Sequence, residues 1–180
     1  MKVWHKILVA PGVAIVFLIM LGAVSYSVLT HQHSTLAELF NTRFGNYQLA
    51  ANSSQEISEV HSNVYRLFTW IGNLKEDKIK QITNEQATRI DAVIKNITRF
   101  TADTGLDAGE RKIAEAVVKK LGKYKGDVDM AIDLSTVDIN TGMSAMQTAD
   151  GSFQEMLRNF KELVQIETRL AQDSYASAGA

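Results

Sequence analysis

A single proline, Pro11, occurs in the 180 residues. Proline breaks helices because it lacks an N–H and its ring clashes with the preceding turn. Everything after Pro11 is therefore free to form long, uninterrupted helices, and the hydrophobic pattern uses that freedom. Four segments show alternating three- and four-residue apolar spacing, the pattern of helices that pack at shallow angles. The first spans about 31–71, with the stripe Leu36, Phe40, Arg43, Tyr47, Ala50, Ser54, Ile57, His61, Val64, Phe68 and Ile71. The second spans about 74–102, with Ile79, Ile82, Gln86, Ile90, Val93, Ile97 and Phe100. The third spans about 108–135, with Ile113, Val117, Leu121, Tyr124, Val128 and Ala131. The fourth spans about 139–177, with Met143, Met146, Asp150, Phe153, Leu157, Phe160, Val164 and Ala171. No strand-like alternation competes, so the fold class is all-α.

The breaks carry capping chemistry. Gly72 suits a left-handed close of the first helix. Asn73 with Glu76, and Asp107 with Glu110, have capping-box spacing. Asp138 or Ser135 suits the start of the fourth helix. Short connections force antiparallel neighbours, which gives an up-down-up-down four-helix bundle. At a rise of about 1.5 Å per residue, the outer helices reach roughly 60 Å and the inner two roughly 40 Å. The Gly72 and Asp138 turns then share the end far from the chain termini, and the Gly105 turn lies at the near end.

Ahead of the bundle lies Ile7 to Thr30, ILVAPGVAIVFLIMLGAVSYSVLT. It is an uncharged run of about 24 residues, longer than the roughly 20 that cross a hydrocarbon core. Lys2 and Lys6 precede it, so the positive-inside rule keeps residues 1–6 in the cytoplasm and exports the rest. Trp4 and Tyr26 suit the two interfaces. The run is thus expected to be a transmembrane helix, residues 7–30, that anchors the chain in the bilayer and continues into the bundle as one rod. A cleaved signal peptide is the rival reading, with Ala23-Val24-Ser25 as its processing site. The apolar run is longer than a usual signal core and continues past that site, which favours the anchor.

Composition removes several functions. There is no cysteine, so disulfides, zinc–thiolate sites and covalently attached c-type haem are excluded. Nineteen Lys and Arg against twenty Asp and Glu, with no basic cluster, leave no electrostatic footprint for nucleic acid. No nucleophile elbow, glycine-rich phosphate loop or His-Glu-x-x-His helix occurs, so an enzyme is not expected. No cofactor or metal site is expected either. His31 and His33 are two apart, which separates their rings on a helix, and His61 has no second axial partner in the pattern.

A short basic start, one apolar span and HQHSTLAELFNTRF after it are similar to how bacterial methyl-accepting chemotaxis proteins begin. FQEMLRNFKELVQIETRLAQDSYASA resembles the fourth helix of their periplasmic four-helix-bundle ligand domain. The resemblance covers the whole chain. It implies a homodimer in the bacterial inner membrane, with the bundle in the periplasm. A small-molecule ligand, or a periplasmic binding protein, engages the distal part, and the fourth helix slides along its axis to signal to a kinase. Related sensor regions serve histidine kinases and diguanylate cyclases, and a single-pass adaptor bundle with no small ligand is a further alternative. The chain ends at Ala180 without a second span or an output module, so a fragment of a longer receptor is expected.

The residues singled out for ligand binding are His61, Tyr65, Arg66, Thr69 and Trp70 on the first bundle helix, with Asn140 and Thr141 opening the fourth. Arg66 and Thr69 have the chemistry to hold a carboxylate, and Tyr65 and Trp70 offer apolar walls. His61 lies on the apolar seam, where a lone histidine most often sets packing register. Amino-acid receptors of the resembling family carry several arginines close together on this helix, whereas Arg66 stands alone here. The methionines Met143, Met146 and Met156 read as gap-fillers of a helical core. The polar seam positions Arg43, Ser54, His61, Gln86 and Asp150 hint that some seams face a second copy of the chain.

Overall fold

The structure, a computed structural model, describes residues 3–38 and 42–178, with side chains at 12–30 and 42–176. Among the described residues it contains five α-helices and no strand. Helix α1 is Val3–Glu38, α2 is Phe44–Trp70, α3 is Glu76–Thr101, α4 is Ala108–Val137 and α5 is Ile139–Ala178. The helices fall into two compact units. One holds α1 and the end of α5 from Leu170, and the other is Phe44–Arg169.

In the first unit, Gly12–Thr30 is long and apolar enough to cross a membrane, and its side chains are exposed throughout. The expected continuous rod from Ile7 to Ile71 crosses residues 39–41, which lie outside the described residues. Thr42 and Arg43 form a wider π-type turn just before α2. The lysine at position 2 lies outside the described residues, and nothing is described of the Lys6, His31 and His33 side chains.

The second unit is the antiparallel bundle. Its directions can be read from pairs whose numbers run opposite ways. Glu59 and Glu56 on α2 meet Arg89 on α3, while Asn63 meets Gln86. Asp91 on α3 meets Lys125 on α4, and Arg111 at the start of α4 reaches the Thr101 carbonyl at the end of α3. Lys120 and Lys123 on α4 meet Glu155 and Ser152 on α5. His61 on α2 meets Asp150 on α5, which closes the ring of four.

The core forms because each helix turns one apolar face inward. On α3 the expected face is buried at Ile79, Gln86, Ile90, Val93, Ile97 and Phe100, and Ile82 is half-buried at its edge. On α2 the buried face is wider than the expected stripe, and adds Ser53, Val60 and Leu67. On α5 the buried line is Met146, Ala149, Phe153, Met156, Phe160 and Leu163. Met143 is exposed, and Leu157 and Val164 are half-buried, so the face is turned slightly from the expected one. A helix in a globular bundle buries a band broader than a strict heptad seam, which is why a neighbouring row joins in.

The turns differ in how well local chemistry determines them. Asp107 accepts from the Glu110 N–H at 2.8 Å, and Glu110 returns a bond to the Asp107 N–H at 2.7 Å, which completes the expected capping box. Between α2 and α3 the expectation fails. Gly72 is not left-handed, since no described residue has a positive φ. The chain instead tightens into a 3₁₀ turn, Ile71–Asn73, closed by Leu74 N–H donating to the Ile71 carbonyl. Asn73 is used up in that turn, the N-cap moves to Lys75, and no side chain caps α3 there. Burial of Ile71 in the core accounts for the extra turn.

Between α4 and α5 there is one residue, Asp138. Its carboxylate accepts from the Thr141 N–H at 2.9 Å and from the Thr141 hydroxyl at 2.6 Å. Ser135 turns its hydroxyl back to the Ile132 carbonyl instead. So short a hairpin presses the two helix ends together. A Cβ at Gly142 would lie 2.3 Å from the Ser135 Cβ, and only glycine fits.

Candidate ligand-sensing site

Three places in the bundle gather chemistry. The first is around His61, on α2. The residue is 7% exposed, and its ring joins α2 to two other helices. Nδ1 lies 3.0 Å from the Tyr124 hydroxyl on α4, and Nε2 lies 3.2 Å from Asp150 Oδ1 on α5. The ring stacks on Phe153 at 3.8 Å, nearly parallel, and meets Tyr65 edge-on at 4.9 Å. A carboxylate only accepts, so Nε2 carries the proton in the neutral ring and Nδ1 accepts from the Tyr124 O–H. Burial holds the His61 pKa below its ordinary value, and the bond to Asp150 opposes that shift. Burial also raises the Tyr124 phenol, which keeps it a donor.

The second place is a recess of about 130 Å³ between α2 and α3, lined by Asn63, Arg66, Leu67, Trp70, Ile82, Glu85 and Gln86. Arg66 Nη2 donates to Asn63 Oδ1 at 2.7 Å, and its guanidinium sits 5.9 Å from the Trp70 ring centre. Trp70 is half exposed.

The third is a cavity of about 890 Å³ on the other side of α3, where the 3₁₀ turn, α3 and the end of α4 meet. Ile79 and Ile132 contribute apolar wall, the charged groups are Glu76, Lys80 and Asp133, and Thr83, Asn84, Ser135 and Thr136 add polar lining. Lys80 and Glu76 are paired at 2.6 Å on the rim, both largely exposed.

The seven expected site residues thus separate. His61 and Tyr65 belong to the buried cluster. Arg66 and Trp70 share the small recess. Thr69 donates its hydroxyl to the Arg66 carbonyl at 2.7 Å. Thr141 is held by Asp138, and the Asn140 carbonyl accepts from Ser144. Neither Asn140 nor Thr141 lines the recess or the cavity. Sequence reasoning missed Tyr124 and Asp150 as partners of His61. The available signal was two polar residues, His61 and Asp150, interrupting apolar seams on different helices. It also missed Lys80 and Asp133, for which no local pattern existed.

Three of the polar seam positions find partners inside the bundle. His61 pairs with Asp150, and Gln86 accepts from Asn63 at 3.3 Å. These residues therefore give no reason to invoke a second copy of the chain.

Over residues 1–180 the chain matches the family model of the four helix bundle sensory module for signal transduction. The chain belongs to this family. No curated protein and no solved structure matches it. The family is the sensory module of methyl-accepting chemotaxis proteins, a non-catalytic signalling domain, and among the described residues one helix is apolar enough to span a membrane. The expected resemblance and the all-α bundle therefore both hold.

Proposed function

We propose that the chain is the extracytoplasmic sensor region of a transmembrane chemoreceptor in a bacterial inner membrane, and that it takes a small polar metabolite at the distal end of the bundle. The observation that carries this reading is the cavity of about 890 Å³ beside the α2–α3 turn. Small-molecule sites occupy roughly 300–1,000 Å³, with an apolar lining and a few convergent polar groups. The cavity falls in that range, whereas the Arg66 recess, at about 130 Å³, has room for a small ion or a single ligand group. Lys80, paired with Glu76 on the rim, and Asp133 place both signs of charge beside Ile79 and Ile132, which suits a molecule bearing both charges. Arg66 and Trp70 serve an extension of that ligand. Binding displaces α5 along its axis and so signals across the membrane to a kinase pathway, with the module acting as a homodimer.

The test is a thermal-shift screen of small metabolites on the full chain in micelles, followed by calorimetry. A ligand should raise Tm in proportion to the logarithm of its concentration. Lys80→Ala and Asp133→Ala should each weaken binding about tenfold or more, as expected for charge-assisted contacts worth roughly 1.5–3 kcal/mol. If Arg66→Ala keeps wild-type affinity, Arg66 leaves the site. If no metabolite shifts Tm, an adaptor bundle that binds other helices replaces the ligand sensor. Sedimentation showing only monomer, with and without ligand, would remove the dimer.

A further inference from the structure

His61 is the residue in the bundle that ties three helices through one titratable ring. Its neutral form gives each neighbour one role. Nε2–H donates to Asp150 on α5, and Nδ1 accepts from Tyr124 on α4. A second proton on the ring changes only one of those roles. The Asp150 bond becomes charge-assisted and stronger. Nδ1 becomes a donor, so Tyr124 must turn from donor to acceptor. Tyr124 is fully buried, and its own O–H must then be rehoused inside the core.

We propose that the module binds a proton as a signal at His61, and that this proton strengthens the α2–α5 link while reversing the hydrogen bond that makes the α2–α4 link. The module would then respond directly to acidity, without requiring any molecule in the distal cavity. No group beyond His61 has to titrate for this. Asp150, from α5, is the charged group acting on the ring. Tyr124, from α4, and Tyr65, from α2, are phenols that burial pushes further above neutrality. Helix α3 packs on α2 through the neutral Gln86 and through Arg89, which is held by Glu56 and Glu59. Lys123 and Asp127 on α4 engage each other and Ser152. Burial of the ring places its titration below the ordinary histidine value.

The test is NMR on the full chain in lipid nanodiscs between about pH 4 and pH 8, a window that brackets histidine titration. The ring nitrogens of His61 are assigned by their loss in His61→Gln. The expected result is a midpoint below 6.5, with the amides of Tyr124, Ser152 and Phe153 shifting at the same midpoint. In His61→Gln, which keeps a donor and an acceptor but does not titrate, those amide shifts should vanish. Asp150→Asn keeps the acceptor but loses the charge, and should lower the midpoint by about one pH unit. If His61→Gln fails to fold, Asp150→Asn decides alone. The proposal is overturned if His61 stays unprotonated across the range. It is equally overturned if the ring titrates while the α4 and α5 amides stay still, if the amide shifts survive in His61→Gln, or if Asp150→Asn leaves the midpoint unchanged.

Discussion

Gly142→Ala should destabilise the bundle, although the same substitution elsewhere in these helices should stabilise it. Replacing an interior helical glycine by alanine ordinarily gains about 0.8–1 kcal/mol, because glycine loses more backbone freedom on folding. At Gly142 the new Cβ would lie 2.3 Å from the Ser135 Cβ, 2.6 Å from its Cα and 2.7 Å from its N. Two of those atoms are backbone, so no rotamer change relieves the contact. The α4–α5 hairpin has to open by about 1 Å or more to reach a normal carbon–carbon separation of roughly 3.5 Å. Overpacking of this kind typically costs about 1–3 kcal/mol, which exceeds the propensity gain. The opening also pulls on Asp138, which is the whole connection and holds Thr141 through two bonds.

The control is built into the same chain. Gly122 and Gly126 on α4 and Gly151 on α5 have nothing within 4 Å of an added Cβ. Circular dichroism melts of the full chain in micelles should show Gly142→Ala lowering Tm by several degrees. Gly122→Ala should raise it, since about 1 kcal/mol corresponds to roughly 2–4 °C at this chain length. If Gly142→Ala melts at or above the wild type, the close crossing of the two helix ends is wrong.

Phe160 is fully buried in the α5 face, so Phe160→Ala should cost about 3–5 kcal/mol, measured as a lower urea midpoint with an unchanged slope. Asp107→Ala should lose about 1 kcal/mol, and faster amide exchange should be confined at first to the start of α4, where Glu110 is left without its partner in the capping box. Stability should fall as the pH drops below 6.5. The folded state holds the His61 pKa below its unfolded value, so this contribution is complete above 6.5 and is lost as the pH falls through the folded value. His61→Gln should flatten that limb of a Tm-against-pH curve. A second loss below about pH 4.5 should remain, because Arg89 lowers the Glu56 pKa, and that contribution holds above the unfolded value and fades beneath it.

What the sequence made legible was local. The Asp107–Glu110 box could be read because both partners lie within one helical turn of each other. The α3 face could be read because its polar side has few apolar residues to confuse the stripe. On α5 two adjacent apolar rows compete, Met143–Leu157–Val164 and Ala149–Met156–Leu163, and only packing against α2 and α4 chooses between them. The α2–α3 turn was misread for a related reason. Gly72 and Asn73 have good cap chemistry, but burying Ile71 draws the chain one turn further before it reverses. The site was the least legible part. Tyr124 and Asp150 lie 63 and 89 residues from His61, so no spacing rule connects them. The distal cavity likewise takes its walls from four separate segments.

The buried cluster bears on the proposed displacement of α5, because its two contacts with that helix tolerate sliding differently. Axial shifts of helices in switching proteins are about 1–2 Å. Applied across the 3.2 Å bond from His61 Nε2 to Asp150, such a shift stretches it to roughly 3.4–3.8 Å, at or past the limit of a hydrogen bond. The same shift across the stacked Phe153 ring only offsets the pair, an arrangement aromatic rings favour over face-to-face alignment. Phe153 therefore acts as a bearing and Asp150 as a latch. If both proposals hold, a proton on His61 tightens the latch and a ligand that slides α5 has to break it. The two stimuli would then oppose each other through one bond, and by linkage each would weaken the binding of the other.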